Sequence, residues 1–384
     1  MNIAFVHTVF PGGGAERVTR DIAAGILQVS KGDFSFFVYT PNIRHDILTD
    51  EYSRYFQKIA SYSWADEENE IMCMVEEDKI DIIVQIARRV RGIDRIRKKT
   101  GCKVILANHG EPFHTRYDIM LRKQRKKLLW NIFLRQLYDD WGLAERLAVR
   151  SCQRDYDSCD AYTVLCEDYK KMICERFGVD ETESHIVAIN NSEPPVREVC
   201  YAKDKVVLFA GRFELFSKRI DRLLRIWAKV MDSIPDWKLV LAGDGDGLQQ
   251  MKAMAEDLKL KNIEFTGYQE DMSPLYRKAS ILCLTSQTEG WGLCLTEAQA
   301  NAVIPIAFAC TAAVRYILSP DRVNGFLVTP FDEDEFASTL MQVASMNEDD
   351  MMVLRRNVVE KSRSYSPEVV SGQWKCVFEG LISR

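Results

Sequence analysis

The sequence predicts an α/β fold of two Rossmann-like, doubly wound domains facing across a cleft. Three observations carry that prediction. The chain has 384 residues, enough for roughly two to three domains. Short apolar runs alternate with amphipathic helical patterns along most of it, as in mostly parallel sheets flanked by helices. The alternation breaks at Asn190-Asn191-Ser192-Glu193-Pro194-Pro195, where consecutive prolines and polar residues read as a linker, and then restarts. The expected boundaries are residues 1–189 for the first domain, 190–204 for the linker and 205–366 for the second. The last segment, 367–384, is expected to pack back onto the first domain.

In the first half, strands are expected at Ile3–His7, Phe34–Tyr39, Ile80–Gln85, Lys103–Ala107, Tyr162–Leu165 and Ile186–Ile189. Ala15–Leu27 reads as a helix because Val18, Ile22 and Ile26 share one stripe. Asp118–Tyr138 reads as a basic amphipathic helix, with Leu121, Leu128 and Ile132 on one stripe and Leu129, Phe133 and Leu137 beside it. In the second half, Val206–Ala210 begins a new series. Ile220, Leu223, Leu224, Trp227 and Met231 recur with helical spacing. Strands follow at Trp237–Ala242, Ile263–Phe265, Ile281–Leu284 and Val303–Ala307, and Ser366-Pro367 starts a final helix to Ile382. Ligands of such sheets bind beyond the carboxyl ends of strands, so the turns after strands are where chemistry is sought.

Composition narrows the class. Apolar residues make up 47% and charged residues 28%, which excludes a disordered, collagenous or coiled-coil chain. Lys and Arg number 51 against 56 Asp and Glu, a net charge of −5, which gives no global reason to expect nucleic-acid binding. No apolar run approaches the roughly 18 residues of a membrane span. Met1-Asn2 leads directly into an apolar strand without a basic segment, so no signal peptide is expected. Eleven cysteines with no CxxC fit reduced thiols in a cytoplasm, and Cys152, Cys159, Cys166 and Cys174 read as core thiols. Arg116, Arg122, Lys123, Arg125, Lys126, Lys127 and Arg135 oppose only Asp118. That cluster suits an anionic membrane surface, or equally a solvated basic face. The expected location is the cytoplasm, with peripheral contact at the inner face of the plasma membrane as the extension.

Four constellations can carry chemistry. Pro11-Gly12-Gly13-Gly14-Ala15-Glu16 joins the first strand to the first helix, where glycines and a helix N-terminus favour an anion; a tight turn is the plain alternative. Gly211-Arg212-Phe213-Glu214-Leu215-Phe216-Ser217-Lys218 follows the first strand of the second domain. Arg212 and Lys218 can converge there on a diphosphate, or serve as two solvated charges. Gly243-Asp244-Gly245-Asp246-Gly247 imitates a dinucleotide fingerprint with Glu264 downstream, but Leu248 occupies the third fingerprint position. Phosphate- or sugar-side packing is expected instead, and Asp244-x-Asp246 is read as a loop feature, not a metal site. Last, Glu289-Gly290-Trp291-Gly292-Leu293-Cys294-Leu295-Thr296-Glu297 sets two carboxylates eight positions apart. The first can accept from sugar hydroxyls and the second from a ribose diol. A glycosidase also uses two carboxylates, but across one bond.

In this order the motifs resemble the retaining glycosyltransferases of family 4, with their two-Rossmann GT-B fold. The resemblance covers nearly the whole chain and is densest over 206–328. It includes Asn324-Gly325-Phe326-Leu327-Val328 and a final helix carrying Trp374. It implies that Gly13, Gly14 and Gly243 lie on the donor's side and that Arg212 and Lys218 neutralise the departing diphosphate. Glu289 would contact the transferred sugar, and Glu297 would hold the ribose. Gly292 and Leu293 would offer backbone donors, and His109, in Asn108-His109-Gly110, would hydrogen-bond the donor sugar near the reacting carbon. Arg219 follows Lys218 where many members have glycine, which leaves open which cation meets phosphate. The resemblance further implies a nucleotide-sugar donor (UDP before GDP) and a glycan or lipid-linked acceptor in surface polysaccharide or lipopolysaccharide assembly. It implies no cofactor, no metal and no nucleic acid. The alternatives are a non-catalytic nucleotide-sugar-binding protein and a nucleotide-sugar epimerase of the same fold.

Overall fold

The computed structural model describes residues 1–30, 32–113 and 143–383; the basic helix expected over 118–138 lies outside them. The chain divides into two compact units. Unit 1 comprises Met1–Ser192 and Pro367–Arg384, and unit 2 comprises Glu193–Ser366.

Unit 1 holds a seven-stranded sheet: β1 (Asn2–Val6), β2 (Ser35–Thr40), β3 (Lys58–Ser61), β4 (Ile82–Ile86), β5 (Lys103–Ala107), β6 (Ala161–Val164) and β7 (Ile186–Ala188). Every pairing is parallel, in the order β3-β2-β1-β4-β5-β6-β7. The helices are α1 (Gly14–Val29), α2 (Asp50–Ser53), α3 (Glu67–Glu77), α4 (Ile93–Thr100), α5 (Leu143–Asp157) and α6 (Glu167–Phe177). Val18, Ile22 and Ile26 of α1 are buried against the sheet, as their spacing requires.

Unit 2 repeats the plan with six parallel strands: β8 (Val206–Ala210), β9 (Lys238–Ala242), β10 (Ile263–Gly267), β11 (Ile281–Leu284), β12 (Ile304–Phe308) and β13 (Phe326–Val328). Their order is β10-β9-β8-β11-β12-β13. Its helices are α7 (Ile220–Val230), α8 (Leu248–Asp257), α9 (Ser273–Lys278), α10 (Leu293–Ala300), α11 (Ala312–Leu318), α12 (Glu333–Ala344) and α13 (Glu348–Ser362). Ile220, Leu223, Leu224 and Trp227 form the buried face of α7, and each contributes about 1.5–3 kcal/mol by leaving water. The Trp227 indole N–H is satisfied by the Lys261 carbonyl at 2.9 Å.

The final helix α14 (Pro367–Ile382) packs on α1 within unit 1. Gly25 makes this approach feasible: a Cβ there would lie 2.0 Å from Ser371 Oγ. Trp374 and Phe378 close the core beneath it.

Strand order reverses between β1 and β4 in unit 1, and between β8 and β11 in unit 2. The crevice at such a reversal, beyond the carboxyl ends, is the ligand position of doubly wound sheets. The loops placed there in unit 2 are 211–219 and 285–292, and in unit 1 they include 7–13. The eleven expected strands all form, with ends displaced by up to two residues. Two further strands carry too little apolar sequence to announce themselves. Edge strand β3 has four residues, none of them buried, and β13 has only three. Among the described residues no helix is long and apolar enough to cross a membrane. The cysteines there are free, and Cys152, Cys159, Cys166 and Cys174 are buried.

Candidate functional site

In unit 2 the loops after β8 and β11 are tied together. The Gln287 N–H donates to the Ser217 carbonyl at 2.7 Å, and the Thr285 hydroxyl to the Arg219 carbonyl at 3.2 Å. That connection brings Lys218 to Glu289, 71 positions apart in sequence: Lys218 Nζ donates to Glu289 Oε1 at 2.7 Å. The Ser286 hydroxyl donates to the same oxygen at 2.6 Å. Glu289 is buried, and its partner is largely so. Burial alone would push the Lys218 ammonium down. The Glu289 carboxylate outweighs that and holds it up at about 12.

Arg212 and Lys218, read as able to converge on one anion, take different acidic partners in this structure. Arg212 points to solvent, with its side chain 67% exposed, and pairs with Glu214 at 3.1 Å. Arg219 is held through two bonds of 2.9 Å by Asp221. Of the neighbouring cations 218 and 219, Lys218 is therefore the one turned to the carboxylate motif.

Glu297 lies on α10, eight residues beyond Glu289. It accepts from the hydroxyl of Tyr276 at 2.7 Å. Gly292 precedes this helix with φ at +96°, a conformation that favours glycine, and is buried; Leu293 begins the helix half-buried. The N–H groups of that first turn lie in the same stretch as the two carboxylates, and that of Leu295 donates to the Gly292 carbonyl at 2.8 Å.

Gly243, expected on the donor's side, packs against backbone of its own unit. Its N–H donates to the Gly267 carbonyl at 2.8 Å, so it is not available to a phosphate. A Cβ at this position, where φ is +139°, would lie 1.9 Å from the Gly211 carbonyl oxygen. The 243–247 loop is packed onto 211–213 through Phe213 N–H to the Asp244 carbonyl (2.9 Å) and Gly247 N–H to the Phe213 carbonyl (2.9 Å). Its glycines allow backbone to meet backbone. Asp244 uses Oδ1 to accept the Gly245 N–H at 2.7 Å, a turn-forming role.

In unit 1, His7 follows β1 and is buried. Its Nε2 lies 2.9 Å from Thr19 Oγ1, and its Nδ1 lies 3.7 Å from Glu16 Oε1. Glu16 stands three residues after Gly13, the residue capping α1, and its carboxylate folds back over that glycine: a Cβ on Gly13 would meet Glu16 Oε2 at 2.8 Å. This is half of a capping box. Burial pushes the Glu16 carboxyl up, but His7 and backbone N–H groups including that of Gly13 hold it below the ordinary value. The expectation that Gly13 faces a phosphate meets a difficulty here, because a carboxylate of this chain already serves its N–H.

His109 follows β5. Asn108 shapes its turn: the Asn108 N–H donates to the Thr163 carbonyl at 2.9 Å, and its Oδ1 accepts the Gly110 N–H at 3.0 Å. Asn191 lies beside the imidazole without hydrogen-bonding geometry, so both buried ring nitrogens of His109 lack a partner among the described residues. Burial, reinforced by the neighbouring His7, lowers its pKa to about 4. It is therefore a neutral imidazole at neutral pH, with a donor and an acceptor both unused.

Sequence reasoning missed Ser286, Tyr276 and Arg222. Arg222 donates to Gln287 Oε1 at 2.6 Å and stacks over Phe331 at 4.2 Å, which fixes the loop that carries Ser286. No local pattern marks any of the three, since each acts on a partner distant in sequence or on a loop. Among the described residues no cluster of metal-binding side chains forms.

Residues 195–364 match the family model of glycosyl transferases group 1. An uncharacterized glycosyltransferase of Haemophilus influenzae is 30% identical over 224 residues, which is 57% of this chain and 61% of that protein. The match thus spans about three fifths of that relative's length. An α-1,4-N-acetyl-D-galactosaminyltransferase of Campylobacter jejuni, acting on an undecaprenol-linked glycan, is 24% identical over 97% of both chains. Two solved structures share the fold. The lipopolysaccharide outer core galactosyltransferase WaaB gives a TM-score of 0.69 at 19% identity, covering 99% of each chain. Anabaena HepE in complex with UDP gives 0.74 at 16% identity, covering all of both. Residues 195–364 are thus similar to glycosyl transferases group 1, and the chain has two parallel-sheet α/β domains like those of the two solved structures.

Proposed function

We propose that the chain is a retaining glycosyltransferase. It moves a sugar from a nucleoside-diphosphate sugar, UDP before GDP, to a hydroxyl of a glycan or lipid-linked glycan in surface polysaccharide or glycolipid assembly. The observation that carries this reading is the Lys218–Glu289 pair on the two loops at the strand-order reversal of unit 2, with Glu297 eight residues on. The bound UDP of the HepE neighbour and the lipid-linked acceptor of the Campylobacter relative agree with it.

The bond from the sugar's anomeric carbon to the diphosphate breaks while positive charge builds on the ring. Lys218 then exchanges part of its contact with Glu289 for the diphosphate and stabilises the charge as it develops. Glu289, relieved of part of that contact, accepts from hydroxyls of the transferred sugar. Glu297 holds the ribose diol. N–H groups around Gly292 and Leu293 contribute a fixed positive field at the start of α10. His109 donates and accepts as a neutral imidazole toward the donor sugar. The acceptor oxygen attacks on the face the leaving group vacates, and its proton passes to the departing phosphate oxygen. The products are the glycoside, with configuration retained, and the free nucleoside diphosphate. No metal is needed in this scheme, because the lysine and the helix N-terminus supply the positive field.

The test is to incubate the protein with UDP- and GDP-sugars in EDTA and follow nucleotide release by chromatography, with Glu289→Ala as control. Release by the native chain, lost in the variant, is expected. Equal release by both proteins would remove Glu289 from the chemistry.

A further inference from the structure

Tyr276 is buried on the short helix α9, and no contact with sugar or phosphate is required of it. Its hydroxyl nonetheless donates to Glu297 Oε2 at 2.7 Å. The ring is fixed from the other end as well. Lys203 Nζ donates to the Tyr276 carbonyl at 2.8 Å and to the Asn301 carbonyl at 2.7 Å. Asn301 in turn uses Nδ2 to donate to the Glu297 carbonyl at 2.9 Å. Lys203, Tyr276, Glu297 and Asn301 therefore form a closed ring of contacts across α9 and the end of α10. The half-buried lysine binds the carboxyl-terminal ends of both helices, where partial negative charge gathers.

We propose that Tyr276 is the positioning residue for Glu297, holding its carboxylate in the orientation that receives the two hydroxyls of a ribose diol. This rests on the nucleotide-sugar reading above and extends it to a residue that touches no substrate. A carboxylate accepts at about four lone-pair sites, so the bond from Tyr276 fixes its rotamer without exhausting its capacity. The direction of that bond is secure. Burial, and then the Glu297 charge, push the tyrosine hydroxyl well above its usual value, so it remains a donor. Bidentate recognition of a diol depends on carboxylate angle more than on charge, and a carboxylate on a half-buried helix face has rotamers to lose.

The experiment titrates UDP, GDP and ADP, and the 2′,3′-dideoxy form of whichever binds, into the native chain by calorimetry. Tyr276→Phe, Glu297→Gln and the double variant are titrated alongside. Phenylalanine keeps the ring in the core and removes only the 2.7 Å bond. Tyr276→Phe is expected to weaken the ribose nucleotide about five- to tenfold, the scale of one hydrogen bond, and to leave the dideoxy nucleotide unchanged. In turnover, the donor KM should rise with kcat nearly constant. In the Glu297→Gln background the same substitution should add little, because its target is gone. Equal weakening of ribose and dideoxy ligands, or full additivity with Glu297→Gln, overturns the proposal in favour of a merely structural tyrosine. Should Tyr276→Phe fail to fold, Glu297→Gln alone decides: loss confined to the ribose ligand supports the diol geometry, and loss on both overturns it. If the native chain binds none of the nucleotides, the nucleotide-sugar reading itself fails. If it binds and the variants match it, only the tyrosine's role does.

Discussion

The two units repeat one fold and prepare their candidate groups in opposite ways. In unit 2 each cation and carboxylate is held by a named partner: Lys218 and Ser286 on Glu289, Tyr276 on Glu297, Asp221 on Arg219. In unit 1, His109 is held by its turn and by burial, and both ring nitrogens are unused among the described residues. The helix N-terminus beside it already serves Glu16. Unit 2 thus resembles a preorganised electrostatic site, whose groups change partners when a ligand arrives. Unit 1 offers a neutral hydrogen-bonding group that awaits one.

Removing the central pair should have the largest effect. Glu289→Ala is expected to lower transfer by at least about a hundredfold, the scale of one preorganised group, while nucleotide binding mostly survives. It also leaves Lys218 buried without its counter-charge, a change that typically costs about 3–5 kcal/mol. Denaturant unfolding should therefore report a loss alongside the kinetics. A variant with native stability and native transfer would remove the pair from the centre of the scheme.

Gly243→Ala tests the packing reading of the glycine loop. The new Cβ would sit 1.9 Å from the Gly211 carbonyl oxygen at a positive φ, so a loss of at least about 2 kcal/mol in unit 2 is expected. Had Gly243 faced only phosphate, stability would hold and nucleotide affinity alone would fall.

Acid should probe unit 1. His109 has a folded pKa of about 4 and His7 is also lowered, both by burial. Between about 4 and the unfolded value near 6.5 the unfolded chain binds more protons, so stability rises with pH there and is lost on acidification. Melting temperature should fall by several degrees from pH 6.5 to 4, and His109→Gln should flatten that slope. An unchanged slope in the variant would mean that His109 is not buried neutral.

The smallest effect is expected at Arg212. Its pair with Glu214 is largely exposed, so Arg212→Ala should change stability by less than about 0.5 kcal/mol. A raised donor KM with unchanged stability would show that the side chain swings onto the diphosphate in the working enzyme. An unchanged KM would leave Lys218 as the cation that matters.

The sequence made the alternation of the two sheets legible because buried parallel strands are continuous apolar runs, as at Ile281–Leu284 and Ile304–Phe308. It left out β3, whose half-exposed four residues have no such run. The order of Gly211-Arg212…Lys218 and Glu289…Glu297 was readable as a motif because each half lies in one loop or helix start. The contact of Lys218 with Glu289 was not, since it needs β8 and β11 to be neighbours in the sheet. The different partners of Arg212 and Lys218 were hidden as well, because spacing cannot tell which cation has a local acid to pair with. The packing of Gly243 was not legible because a glycine that admits backbone and a glycine that admits phosphate look identical in one chain. Tyr276 and Ser286 were silent because a positioning hydroxyl carries no pattern of its own.

The most direct test of the central claim is a set of thermal-shift measurements with UDP, GDP, ADP and NAD, each in EDTA. A ligand at 100 times its Kd adds about 2.7 kcal/mol to the folded state. Selective stabilisation by one nucleoside diphosphate, diminished in Lys218→Met, is the predicted result. No shift with any nucleotide, or a shift with NAD alone, would contradict a metal-independent nucleotide-sugar site on unit 2.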